Sequence, residues 1–340
     1  MSMITPQQIR GLLLEEAVLH LLRKSGYRTV DEPGSDPTLL RGGAGMFVRG
    51  RGGNHQIDAI ADFVVHQPFS NPNRLLNEAK CYFRRDVRMP EIRNAVGVLK
   101  DVSEHWIPAP LPVIARKRYH YQFAMVSASG FSKDAQAYAF AQDVYLIPLG
   151  NSRFFAPILN AIRLATRSPF GPFQRIVADG GMRQLREIIR GSLRGYGANI
   201  DRSTEGNWDW LRLPPFIQAC STLNYTLLGV LGGQFPILLA PSARMRHGDI
   251  PDHVFVRIVW DQHGWYLRDE RGRELFSFDL PLELLNLFSE QGVLSQERAL
   301  SLKSEFMSFF QAVQTEGNRA RVISFELDHN WFEQIRGRNR

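Results

Sequence analysis

Apolar and polar positions alternate along this chain with two distinct periods. From residue 10 to 25 the spacing is helical: Leu12, Val18, Leu19 and Leu22 share a face with Glu15, and Gly26 supplies a stop. A Gly-rich, turn-prone stretch follows, after which HQIDAIADFVV (55–65) alternates every second residue. Ile57, Ala59 and Ala61 fall on one face of that strand, and Asp58, Ile60 and Asp62 on the other. HQPFSNPNR (66–74) reads as a loop and LLNEAKCYF (75–83) as the returning strand. The helical period returns over 89–106, with Ile92, Ala95, Val96, Leu99, Val102 and Trp106 expected inside. A strand (YQFAMVSAS), a helix opened by Ser132 as N-cap, a strand (VYLIPL) and a helix over 153–166 complete the first half.

This alternation predicts an α/β unit at 1–166, with a central mixed sheet flanked by helices. RSPFGPFQ opens a linker, taken as 167–180. Beyond it the order changes: a helix at 181–194, then a succession of strands (YTLLGVL, FPILLA, HVFVRIVW, GWYLRD, ELFSF). Helices at 281–291 and 295–315, a strand at 320–327 and a short last helix follow, so 181–340 reads as a separate α+β domain.

Composition narrows the function classes. No apolar run approaches the roughly 20 residues of a membrane helix, and the N-terminus lacks the pattern of a signal peptide. Two cysteines, Cys81 and Cys220, give neither a disulfide framework nor a cysteine zinc site, so a cytoplasmic location is the expectation. Net charge is +7, and all of the excess lies in the first half: residues 1–170 hold 21 Lys/Arg against 14 Asp/Glu, and 171–340 hold 20 of each. Arg84, Arg85 and Arg88, with Arg51 and Lys117, are candidate phosphate contacts, the alternative being a solvated surface that serves solubility.

The chemistry concentrates at one place. Glu78 and Lys80 project from one strand face, and burying two charges is costly unless they are paired or hold a metal. Residues 58 and 78 are equidistant from residue 68 at the centre of the loop, so Asp58 and Glu78 should oppose one another across an antiparallel pair. Glu15 sits among leucines on the first helix, with Glu16 as its alternative. Packing that helix on the hairpin would bring three carboxylates and one ammonium together, a net charge of −2 that a magnesium or manganese ion neutralises. Such a metal polarises a phosphoryl oxygen, and Lys80 beside it can orient and help activate water.

Asp58, nineteen intervening residues, and then Glu78-Ala79-Lys80 resemble the motif of the PD-(D/E)XK nuclease superfamily, in particular its Mrr-like restriction endonuclease branch. LEEAVLHLLRKSGY (14–27) is similar to the branch's opening helix, GGNHQIDAIA (52–61) to its Gly-rich turn and first catalytic strand, and VSASGFSKDAQAYAFAQDVYLIPL (126–149) to its closing strand–helix–strand. Gln56 and Asn54 depart from the usual pattern. The resemblance, over about 15–150, implies a restriction-endonuclease-like fold and Mg²⁺-dependent DNA cleavage, as a restriction or anti-phage effector. It assigns Asp58, Glu78, Glu15 and the Ala79 carbonyl to the metal, and Lys80 and Gln56 to the catalytic site. It also leaves open a structure-specific repair nuclease, or a non-catalytic DNA-binding or assembly module. The second domain is expected to serve recognition, a partner protein or a homodimer.

Three further assignments are structural: His55 and Asp62 as surface or supporting groups, Cys81 as a small buried residue, and His247 and His253 as loop residues without a metal role. Trp208 and Trp210 are expected in a core or an interface, with base stacking as the alternative.

Overall fold

In a computed structural model, residues 4–42, 45–66, 68–108, 115–166, 181–194, 213–242, 250–261, 264–288, 295–316 and 319–338 are described. The expected linker, Trp208, Trp210 and His247 lie outside them. The chain is mixed α/β. Its first half is built on a five-stranded sheet of order β1-β5-β6-β9-β10: Tyr27–Thr29, Ala59–Phe63, Asn73–Lys80, His120–Ser127 and Val144–Pro148. The first three strands pair antiparallel, and β6, β9 and β10 run parallel. A small antiparallel sheet, β2 (Leu39–Gly42), β3 (Gly45–Arg49) and β4 (Asn54–Ile57), leads into β5. The sequence pattern predicts no strand at β1, and it reads the Gly-rich segment that holds β3 as turn-prone, because these short segments carry no clean alternation. β7 (Ile107–Pro108) and β8 (Ala115–Arg116) form a two-stranded ribbon.

Alternation along β5 and β6 assigns their faces. Ala61, Leu75, Ala79 and Cys81 face the core beneath α1 (Pro6–Lys24), while Ile60 and Leu76 join the core beneath α2 (Met89–Ser103) and α3 (Lys133–Ala141). Thr5 and Gln8 close a reciprocal capping box at the start of α1, four residues ahead of the expected start. Its Leu12, Leu13, Leu14, Leu19, Leu21 and Leu22 are all buried, so α1 is a central helix and not a half-exposed one. Ser132 caps α3 as expected, accepting from Ala135 N–H at 3.3 Å. Trp106 follows the end of α2 and is 53 % exposed, against expectation.

α4 (Ala156–Ala165) also packs on the core beneath α1. So do α5 (Gly181–Arg194) and α6 (Leu213–Ser221), through Leu185, Ile189, Phe216, Ala219 and Cys220. Both helices fall within the stretch assigned to the second domain, yet their apolar faces are completed by the first.

The remaining strands close into a seven-stranded barrel, order β11-β12-β15-β14-β13-β17-β16, made of Leu227–Leu231, Phe235–Pro241, Glu274–Phe278, Gly264–Arg268, His253–Asp261, Arg319–Leu327 and Phe309–Glu316. α7 (Leu282–Phe288), α8 (Gln296–Phe306) and α9 (His329–Arg338) accompany it. Sequence reading expected strands here without a barrel, and it ran a helix over 295–315. α8 stops at Phe306 and Phe309–Glu316 is a strand, because its eight residues pair along their whole length with β17. This is tertiary pairing overriding local pattern.

The barrel seats on α1 at Gly26, whose N–H donates to Thr315 Oγ1 at 2.9 Å. Gly26 has φ of +84°, and a Cβ there would lie 2.3 Å from a Val313 methyl. No helix of the described residues is long and apolar enough to cross a membrane.

Candidate active site

The ladder between β5 and β6 pairs Ala59 with Asn77 and Asp62 with Arg74. Asp58 therefore stands one position past its end, opposite Glu78, as the loop symmetry predicts. At that position the chain bends between β4 and β5, and Asp58 Oδ2 turns to accept the backbone N–H of Ala79 at 2.9 Å. On the far side of the bend, Lys80 Nζ donates to Glu78 Oε1.

α1 brings Glu15 to the same carboxylate. Burial, followed by the charge of Glu15, raises the pKa of Asp58 to about 7; the Ala79 N–H opposes the shift, Glu78 adds to it and Lys80 offsets part. Asp58 is thus a carboxyl short of positive charge. Lys80 is not short of negative charge: burial works to lower its pKa, but Glu78 and Asp58 outweigh burial and the net direction is up. Lys80 is an ammonium at neutral pH, suited to orienting water and countering developing charge rather than to accepting a proton.

Gln56, exposed on β4, joins Glu15 and Asp58 in lining a cavity of about 110 Å³, together with Asp31, Arg186 and Arg190. Glu78 and Lys80 lie outside that lining. Asp58 is consequently the junction: Glu78 and Lys80 on one side, Glu15 and the cavity on the other. Among the described residues no group of three His, Cys, Asp or Glu is arranged to hold a metal, so the expected four-group convergence is a chain of neighbours. The donor set still suits a hard divalent cation: Asp58 and Glu78 offer oxygens from opposed strand positions, and Asp58 is the group a cation would relieve. One strand position before Glu78, Asn77 is 1 % exposed, and neither polar atom of its side chain has a hydrogen-bond partner.

Three groups escaped sequence reading. Arg186 binds Glu15, and it also reaches Glu16 at 3.1 Å. Arg190 binds the fully buried Glu16 at 2.8 Å. Their separation of 171 and 174 residues from these partners leaves no local signal. The third is Arg74, which makes Asp62 a buried ion-pair partner where a surface or supporting role was expected. Its guanidinium holds Asp62 at 2.6 and 3.0 Å, Asp36 at 2.8 Å and Thr38 at 2.9 Å, with Tyr119 stacked 3.6 Å away. A cross-strand pair between ordered layers is shielded from water, which is why Asp62 is inside.

The expected phosphate contacts have partners of their own or lie exposed. Arg84 and Arg88 are exposed; Arg85 stacks on Tyr82 at 3.7 Å and pairs with Glu91 at 2.9 Å. Arg51 pairs with Glu104 at 3.0 Å, and Lys117 lies 5.7 Å over Trp106. The Gly-rich turn before β4 is docked on α2, where Asp101 accepts from Gly52 N–H at 2.8 Å and His55 Nε2 lies 2.7 Å from its other oxygen. A Cβ on Gly50 would come within 1.9 Å of that carboxylate, so the close approach requires glycine. Cys81 is buried, and burial pushes its thiol up to about 12. His253 meets Glu326 at 3.0 Å on the barrel.

No protein-family model matches the chain, and neither does any curated protein. Among solved structures it is similar to the crystal structure of a protein of unknown function, AF1548, at 14 % identity over 62 % of this chain and 97 % of that one, with a TM-score of 0.34, a likeness that assigns neither a fold nor an activity.

Proposed function

We propose that this chain is a divalent-metal-dependent endonuclease that hydrolyses phosphodiester bonds in DNA, with a restriction-endonuclease-like PD-(D/E)XK core in its first half. The reading rests on one observation. Asp58 stands opposite Glu78 at the end of the β5–β6 ladder, with Lys80 bound to Glu78, and Asp58 is left wanting a cation. Asp58, Glu78 and the Ala79 carbonyl would hold magnesium or manganese; the ion, when bound, supplies polarisation of a phosphoryl oxygen. The Ala79 N–H fixes the Asp58 carboxylate. Lys80, kept charged by Glu78, orients a water and counters charge building on the phosphate. Arg84, Arg85 and Arg88 beyond the end of β6 grip the backbone of a bound duplex. A restriction or anti-phage role, with the barrel recognising a trigger, a partner or a second copy, agrees with the confinement of excess positive charge to the first half.

The test is incubation of the purified chain with plasmid, linear, methylated and single-stranded DNA in Mg²⁺, Mn²⁺ or EDTA. Cutting is expected with metal, absent with EDTA, and reduced by about 10³-fold or more in Asp58→Ala and Lys80→Ala. Equal cutting by wild type and both variants would reject the assignment. The pairing of Lys80 with Glu78 and of Arg186 with Glu15 is also what a non-catalytic DNA-binding module would retain. Duplex binding that is unaltered by metal, without cutting, would favour that reading.

A further inference from the structure

α5 presents Arg186, Arg190 and Arg194 at four-residue spacing to a row of acids on α1 and beyond it. Arg186 takes Glu15 and Glu16, Arg190 takes Glu16 and Asp31, and Arg194 takes Asp31. Leu185 and Ile189, on the adjoining face of the helix, are fully buried in the core beneath α1. The contacts differ in necessity. Glu16 is completely buried and keeps Arg190 at 2.8 Å without any help from Arg186. Glu15 is partly exposed, lines the cavity that Asp58 lines, and has Arg186 as its cation. An arginine therefore already holds Glu15, the carboxylate next to Asp58, while Asp58 itself has no such partner among the described residues. A carboxylate whose lone pairs are committed to a guanidinium is a poor metal ligand.

We propose that α5 is a built-in competitor of the metal: Arg186 withholds Glu15 from the ion, and full loading of the site requires Arg186 to release it. The regulation rests on the nuclease reading for the identity of the site, but its test does not depend on cleavage. Two ligands that compete for one group are linked reciprocally, so what α5 takes from metal affinity the metal takes from α5.

The full chain is titrated with Mn²⁺, and free ion is followed by electron paramagnetic resonance. The forms compared are wild type, Arg186→Gln, Glu15→Gln, the double variant, and Arg183→Gln, which removes the same charge from an exposed pair with Glu187. Arg186→Gln should bind Mn²⁺ about tenfold more tightly than wild type, within the usual range of coupling between sites. Arg183→Gln should match wild type, and Glu15→Gln should cancel the gain. In wild-type protein, saturating Mn²⁺ should speed amide exchange across 186–194, a measurement that needs no variant to fold. The proposal is overturned if Arg186→Gln binds no more tightly than Arg183→Gln, if the gain survives without Glu15, or if exchange across α5 is unchanged or slowed. Asp58-dependent cutting with unaltered affinity in Arg186→Gln removes the competitor and leaves the nuclease. No Mn²⁺ binding in any form, with no cutting, removes both.

Discussion

The two ends of the β5–β6 hairpin both carry charge withdrawn from open solvent, and they have solved the problem in opposite ways. At the loop end, Arg74 is 1 % exposed and meets two carboxylates, a hydroxyl and a tyrosine ring. At the other end, past the Ile60–Leu76 pair, Asp58 faces Glu15 and Glu78 with a backbone N–H and a lysine that Glu78 has already claimed. One site is closed by its own partners; the other is left open to a positive ligand. Buried charge is thus not itself a mark of function. The unmet requirement is.

The largest separation of the two ends should come from removing one charge from each. Arg74→Ala leaves Asp62 and Asp36 without their central cation and should cost about 3–5 kcal/mol in denaturant unfolding. Asp58→Asn relieves repulsion and should raise stability at pH 8, and under the proposed function it should also abolish cutting. Equal losses at both ends would erase the contrast.

A pH series sharpens it further. A carboxyl raised from 3.8 to about 7 keeps its proton in the folded chain where the unfolded chain has lost it. Stability therefore falls as pH rises from about 4 through about 7. Asp58→Asn should flatten that fall: its advantage over wild type is near zero at pH 4 and approaches a ceiling of roughly 4 kcal/mol at pH 8. Thermal melts across this range in EDTA test the sign, and an advantage that grows toward acid would contradict it. Asp36 at the closed end moves the other way. Burial raises its pKa, but Thr38, Tyr119 and Arg74 outweigh burial and hold the carboxyl below its usual value.

The smallest effects belong to the outer arginines. Arg84→Ala and Arg88→Ala should each reduce the salt dependence of duplex binding by about one phosphate contact, leaving stability within about 0.5 kcal/mol. A change in melting without a change in salt slope would make them structural.

How much of this was legible follows from where the information resides. The register of Asp58 and Glu78 could be counted because a single loop separates them. The same counting sets Asp62 opposite Arg74, and only the habit of sending charged pairs to the surface hid that cluster. The helices on both sides of the first sheet announced themselves by period. The barrel did not, because closure depends on which distant strand each edge meets. β16 looked helical until β17 claimed it. Arg186 was out of reach for the same reason: its meaning comes from a helix more than 170 residues earlier.

Gly26 has one more implication. Its missing side chain lets a hydroxyl of the barrel rest directly on the peptide at the end of α1, the helix that carries Glu15 about three turns away. A methyl group placed there would act as a wedge, prising the barrel from the rod whose Glu15 lines the cavity beside Asp58.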